Sequence, residues 1–171
     1  MTLRKIGLGG GCHWCTEAVF QSLLGVTKVE QGWISARETE AFSEAIIVHY
    51  DAEILPLLVL IEIHLQTHSS TSDHSMRSKY RSAIYVFSER QKKEVETMLV
   101  HLQLAFEKPL ITKVLLLKEF KGNVEKYLSY YQRDPDKPFC RNVISPKLRI
   151  LLTNYSSRVD HTKIHHPSRN V

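Results

Sequence analysis

The chain has 171 residues, of which 43% are hydrophobic and 24% charged, and a formal net charge of +5. This length suits one compact domain with a sizeable core. No stretch reaches the roughly 18 uninterrupted apolar residues of a membrane span, so we expect a soluble protein with no membrane partner. The N-terminus has no apolar secretion signal, and the three cysteines are too few for a disulfide scaffold. Both features favour the cytoplasm and cysteines that carry out chemistry.

Most of the positive charge lies near the C-terminus. Between Arg141 and the last residue there are six basic residues and one acidic residue, which account for the whole net charge. The remainder is about neutral, which argues against a nucleic acid partner. We therefore predict a catalytic domain over residues 1–144 and a basic C-terminal extension over residues 145–171. We expect a monomer.

The first predicted element is a short buried strand over Leu3–Leu8, which three glycines end abruptly. Apolar residues at helical spacing then predict a helix that begins near Cys12 and ends before Gly25, a typical stop signal. Two strands follow, Val26–Ile34 and Ser43–Tyr50, and they could pair as neighbours.

The second half of the chain continues the alternation of helices and strands. The predicted elements are a helix over Leu55–Gln66, a strand over Tyr80–Phe87, a helix from Ser88 to about Phe106, a strand over Thr112–Leu117 and a helix over Glu125–Gln132. Ser88 and Gln91 form a possible capping box. The order βαββαβαβα predicts an α+β fold, a ferredoxin-like α/β sandwich with a mainly antiparallel sheet.

Cys12 has the surroundings of a reactive thiol. A free cysteine is only a few per cent ionised at neutral pH, so an enzyme must stabilise the thiolate. The start of a helix does this, because its unpaired N–H groups and its dipole favour negative charge. The glycines before Cys12 allow the backbone to approach closely. We interpret Cys12 as a catalytic nucleophile.

Cys15 gives the Cys-x-x-Cys spacing, which indicates thiol–disulfide chemistry but names no substrate. A zinc site is not favoured, because no second ligand pair follows at the required spacing. The histidines also fit no recognised ligand set; those considered are His64, His68, His74, His161, His165 and His166. We predict no metal site.

The segment from Gly10 to Val26 resembles the active-site segment of the peptide methionine sulfoxide reductase A family. Further ordered segments resemble the same family and extend the resemblance over residues 5–140. They are Val29–Trp33, Phe42–Asp51, Ile63–His64, Tyr80–Ile84 and, more weakly, Tyr127–Tyr131. Several matches in order are more specific than any one of them.

The resemblance implies roles for three side chains. Cys12 would attack the sulfur of a methionine (S)-sulfoxide, Glu44 would give a proton to its oxygen, and the Tyr80 hydroxyl would bind that oxygen. Glu44 lies in an apolar strand, where burial favours the protonated form that an acid needs.

The substrate's methyl group would contact Trp14, with His13 and Tyr127 beside it. His13 is a departure, because the family usually has phenylalanine after the nucleophile. The segment between Trp33 and Glu44 is also shorter than usual and lacks the family's second active-site tyrosine. These differences allow a slow enzyme or a shifted substrate.

The implied cycle leaves a sulfenic acid on Cys12, which a second thiol must resolve. Cys15 is nearest in sequence, whereas Cys140 resembles the family's mobile C-terminal resolving cysteine. Thioredoxin or a similar dithiol would regenerate the enzyme, with no cofactor. Two other hypotheses stay open: a general thiol–disulfide oxidoreductase that uses Cys12 and Cys15, and a degenerate copy that binds sulfoxides without reducing them.

Overall fold

A computed structural model describes residues 1–165. The strands are β1 (Leu3–Gly9), β2 (Val26–Ala36), β3 (Ser43–Asp51), β4 (Ala83–Val86) and β5 (Lys113–Gly122). The α-helices are α1 (His13–Gln21), α2 (Leu57–Gln66), α3 (Glu89–Leu102), α4 (Tyr130–Arg133) and α5 (Ser145–Asn154). Short 3-10 turns lie at Gln103–Ala105, Glu125–Tyr127, Ser156–Arg158 and His161–Lys163, and a π-helical turn spans Cys140–Ile144.

The strands form a closed barrel in the order β1-β3-β2-β5-β4. All neighbours are antiparallel except β4 and β5, which run parallel. The mixed helix and strand content and the mainly antiparallel pairing agree with the sequence prediction. The predicted ferredoxin-like sandwich is instead a closed barrel, because β4 pairs with β1 on one side and with β5 on the other.

Alternating residues of β3 divide the core into two parts. Ile46 and Val48 belong to a large cluster that the helices cover, whereas Ala45 and Ile47 belong to a small cluster on the opposite face of the sheet. Because side chains alternate along a strand, Glu44 shares the helix-covered face with Ile46. This register directs the Glu44 carboxylate toward α1.

Two predicted elements differ from the structure. The Tyr80–Phe87 strand is shortened to β4, because the Arg81 N–H donates to the Ser43 hydroxyl (2.7 Å) instead of continuing the ladder. The predicted helix at 125–132 is broken at Ser129, which has a left-handed backbone (φ 52°). At this break, the buried Glu17 carboxylate accepts hydrogen bonds from the backbone N–H groups of Ser129 (3.1 Å) and Tyr130 (3.2 Å).

The N-terminus of α3 confirms the prediction that Ser88 and Gln91 cap this helix. Ser88 is its N-cap, and the Ser88 hydroxyl accepts the Gln91 N–H at 3.1 Å. The Gln91 side chain reaches back one residue further than a standard capping box, to the Phe87 N–H (2.9 Å).

Residues 145–165, predicted as part of an extension, pack against the rest of the molecule. Leu148 and Leu151 of α5 and Ile164 are buried in the large cluster. The predicted boundary at residue 144 therefore does not coincide with a gap in the packing. His166 and Arg169, which belong to the predicted extension, lie outside the described residues.

Replacing Leu151 with alanine should destabilise the whole domain. Leu151 is fully buried, and truncating a core leucine costs about 2–5 kcal/mol. Leu104→Ala is the matched control: Leu104 is 85% exposed, so its truncation should change the free energy of unfolding by less than about 0.5 kcal/mol. Urea denaturation measures both. Equal effects of the two changes would show that α5 is a dispensable extension.

Within residues 1–165, no helix has the length and apolar content needed to cross a membrane. In the same part of the chain, no three metal-binding side chains converge on a common point.

Candidate active site

The loop between β1 and α1 places Cys12 at the helix start. Gly10 has a φ of +158°, and a Cβ atom there would overlap the His68 ring, so the turn requires glycine. Cys12 is the N-cap residue, with φ −56° and ψ 131°, and its carbonyl accepts the Cys15 N–H at 3.1 Å. The predicted position of Cys12 is thus observed.

The surroundings of Cys12 favour its thiolate. The pKa of Cys12 is lowered, first by interaction with the Cys15 thiol and also by the backbone N–H groups of Trp14 and Cys15. Burial and the charge of Glu44 act in the opposite direction. The Cys12 side chain is only partly buried, so the anion remains accessible to a substrate.

Cys15 has the opposite character. It is buried, and its pKa is raised by the neighbouring Cys12 and by burial. Of the two thiols, the accessible Cys12 therefore ionises more readily than the buried Cys15. A thiol that ionises more readily and is accessible has the properties of a nucleophile.

Glu44 lies beneath the N-terminus of α1 and is 6% exposed. One carboxylate oxygen accepts the His13 backbone N–H at 3.3 Å and lies 3.3 Å from the His13 Nε2 atom. The other lies 3.7 Å from Lys79 Nζ. These polar contacts offset part of the cost of burying the carboxyl group. Glu44 therefore lies within a group of polar partners beneath the start of α1.

His13 is buried and belongs to this polar group. Its Nδ1 lies 2.8 Å from the Gly32 carbonyl, which can only accept, so Nδ1 carries the proton. Nε2 then faces Glu44 and, at 3.5 Å, the Asn123 amide. The ring packs edge-on against Trp33, with centroids 5.1 Å apart. His13, predicted to lie beside the substrate's methyl group, is thus in contact with the Glu44 carboxylate.

Trp14 is packed into an aromatic cluster with three other rings. It stacks on Tyr130 with centroids 4.0 Å apart, meets Phe139 edge-on at 5.5 Å, and lies 5.7 Å from Tyr127. The indole N–H of Trp14 is buried and has no hydrogen-bond partner among the described residues. The cluster thus brings together Trp14 and Tyr127, two of the residues predicted to bind the substrate.

Tyr80 lies in a turn before β4 and is partly exposed. Arg77 donates from Nη1 to the carbonyls of both Gly10 and Tyr80, each at 2.9 Å, and so ties this turn to the loop before Cys12. Lys79 lies between the two predicted catalytic residues, with Nζ 5.1 Å from the centre of the Tyr80 ring and close to Glu44.

Cys140 is the first residue of the π-helical turn and is fully buried. The sequence predicted a mobile segment around Cys140. In the structure, Phe139 packs edge-on against Trp14 and Tyr130 and holds the turn in place. Burial raises the pKa of Cys140. All three cysteines are free thiols.

Comparison with known proteins places this arrangement in a family. A family model described as peptide methionine sulfoxide reductase matches residues 4–159. The peptide methionine sulfoxide reductase MsrA of Thermus thermophilus is 33% identical over 156 residues, which cover 82% of this chain and 89% of that protein. This chain belongs to the peptide methionine sulfoxide reductase family. The predicted enzyme class, an oxidoreductase of this family, is therefore confirmed.

Solved structures agree with this assignment at the level of the fold. Reduced Mxr1 from Saccharomyces cerevisiae gives a TM-score of 0.71 at 21% identity, with 81% of this chain and 89% of that chain covered. Mxr1 in complex with Trx2 gives a TM-score of 0.60 at 21% identity, covering 72% and 83% of the two chains.

Sequence reasoning missed two charged residues of this family member's site. Lys79 pairs with Glu44, and its only sequence signal is its place directly before the matched Tyr80. Glu17 holds the backbone of Ser129 and Tyr130 and so positions the ring that stacks on Trp14. Its place two residues after Cys15, in the matched segment, was the available signal.

Proposed function

We propose that this enzyme reduces the S epimer of methionine sulfoxide, free or in peptides, and that Cys12 is its nucleophile. The observation that carries the proposal is the partly exposed Cys12, with its lowered pKa, at the start of α1 above the buried Glu44. A nucleophile and a proton source on adjacent elements are the two groups that sulfoxide reduction needs.

In the first step the Cys12 thiolate attacks the sulfoxide sulfur, while the oxygen takes a proton from the group formed by Glu44 and His13. The sulfur–oxygen bond then breaks and the oxygen is transferred to Cys12, which becomes a sulfenic acid as methionine leaves. The sulfoxide is reduced by two electrons and Cys12 is oxidised by two. Tyr80 would bind the oxygen, and Trp14 and Tyr127 would contact the methyl group.

A second thiol, Cys15 or Cys140, then displaces the oxygen as water and forms a disulfide with Cys12. A thioredoxin-like dithiol would reduce this disulfide. The likeness to Mxr1, which has been solved bound to Trx2, supports such a partner. The cycle needs neither a metal nor a bound cofactor, and it fits a reducing compartment such as the cytoplasm.

Single-turnover assays with separate epimers test this function. The reduced enzyme should release about one equivalent of methionine from the S epimer before any reductant is added, and none from the R epimer. Reduction of insulin without release of methionine would instead support a general thiol–disulfide oxidoreductase. Binding of the sulfoxide without release would indicate a degenerate copy.

A further inference from the structure

A small polar cavity lies beside Cys15. Its lining residues are Gly10, Cys15, Thr16, Val19, His64, Thr67, His68 and Lys147. The volume is about 10 Å³, close to the space that one water molecule needs. The first-step chemistry uses none of the charged or titratable groups in this cavity.

Lys147 is the cation of this cavity. Its ammonium group donates to the Thr67 carbonyl at 2.6 Å, the one acceptor within hydrogen-bond distance among residues 1–165. An ammonium group has three donors, so two remain to face the cavity and Cys15. Burial lowers the pKa of Lys147, and negative charge on Cys15 or Cys12 opposes that change.

The two histidines of the cavity do not share this role. Burial lowers the pKa of His64 to about 4, and it holds the pKa of His68 well below the usual value, so both rings are neutral near pH 7. His64 donates from Nε2 to the Gly9 carbonyl at 2.8 Å. Arg77 is also near, but it donates to backbone carbonyls, including that of Ser69. Lys147 is therefore the charge that acts on Cys15.

We propose that Lys147 is a positioning residue that selects Cys15 as the resolving thiol by stabilising its thiolate after Cys12 has been oxidised. The inference rests on the proposed function. The side chains of Cys12 and Cys15 are within hydrogen-bonding contact at the helix start, and the Cys-x-x-Cys spacing is one at which disulfides form. Cys15 attacks the Cys12 sulfur, the sulfur–oxygen bond breaks, and the oxygen leaves as water with the proton that Cys15 released.

The oxidation state of Cys12 controls when Cys15 loses its proton and attacks. In the reduced enzyme, the interaction with Cys12 is the largest cause that raises the pKa of Cys15, while Lys147 lowers it. Conversion of Cys12 to a neutral sulfenic acid removes the opposing anion and leaves the effect of Lys147. Cys140 is also buried, but Lys137, the lysine that lowers its pKa, lies over the Tyr130 ring instead of in a shared cavity.

The test separates the two chemical steps. In Lys147→Met, the release of the first methionine equivalent should keep its rate, whereas formation of the Cys12–Cys15 disulfide should slow by about 3- to 10-fold, since fewer Cys15 thiols are ionised. Lys147→Arg keeps the charge and should restore most of the rate. Rapid quenching followed by thiol counting and peptide mapping measures disulfide formation.

Lys137→Met is the matched control, because Lys137 acts on Cys140 as Lys147 acts on Cys15. Lys137→Met should leave the rate of Cys12–Cys15 disulfide formation unchanged. A Cys12–Cys140 disulfide, or slowing by Lys137→Met and not by Lys147→Met, would overturn the inference. Where Lys147→Met does not fold, equal disulfide rates in Lys147→Arg and Lys147→Gln would overturn it as well. Absence of the first methionine equivalent in the unmodified enzyme would instead refute the proposed function.

Discussion

Cys12→Ser is expected to abolish sulfoxide reduction, with a loss of about 1,000-fold or more in the rate of methionine release. A serine hydroxyl is not ionised at neutral pH. It also cannot accept the sulfoxide oxygen, as a thiolate does when it becomes a sulfenic acid. The change should leave the fold intact, because Cys12 is partly exposed and its backbone, which caps α1, is unaffected. Single-turnover release of methionine from the S epimer is the measurement.

Cys15→Ser and Cys140→Ser are the matched controls for this prediction. Each keeps the nucleophile, so each should still release about one equivalent of methionine. The sulfenic acid should then accumulate in the variant that lacks the resolving thiol, and trapping with a sulfenate reagent detects it. Methionine release that persists in Cys12→Ser would assign the nucleophile to another cysteine.

Local features of the site could be predicted from the sequence. Glycines followed by a helical pattern placed Cys12 at a helix start, and the hydroxyl of Ser88 indicated where α3 begins. Such features depend on neighbouring residues, so a short segment contains the whole signal. The position of Glu44, by contrast, required the family resemblance, since its strand alone did not distinguish a buried carboxylate from an exposed one.

Closure of the barrel could not be predicted in the same way. It depends on the short β4 pairing with both β1 and β5, contacts between residues far apart in sequence. The break at Ser129 is also non-local, because it is the Glu17 carboxylate that accepts the adjacent N–H groups. Both errors arose where tertiary contacts override local preference.

The role of the C-terminal segment was missed for a different reason. Ile144, Leu148 and Leu151 recur at helical spacing, which indicates a helix with a buried face. The basic residues between them weaken this pattern, because they favour a solvated segment. Lys147, counted as part of a solvated extension, lies beside Cys15.

Glu44→Gln is expected to slow methionine release by about 100-fold or more, within the range of general acid catalysis. Glutamine has nearly the same shape, and its carbonyl can still accept the His13 N–H, but it has no acidic proton to give to the sulfoxide oxygen. Glu40→Gln is the control: Glu40 is exposed and pairs with Lys118 at the surface, so its change should leave the rate unaltered.

Alkylation of Cys12 distinguishes a lost acid from a damaged nucleophile. The charge of Glu44 raises the pKa of Cys12, so its removal should lower that pKa further and increase the thiolate fraction. Iodoacetamide should therefore alkylate Cys12 in Glu44→Gln at least as fast as in the unmodified enzyme at pH 6, while sulfoxide reduction falls. If both rates fell together, Glu44 would be holding the helix start in place instead of supplying the proton.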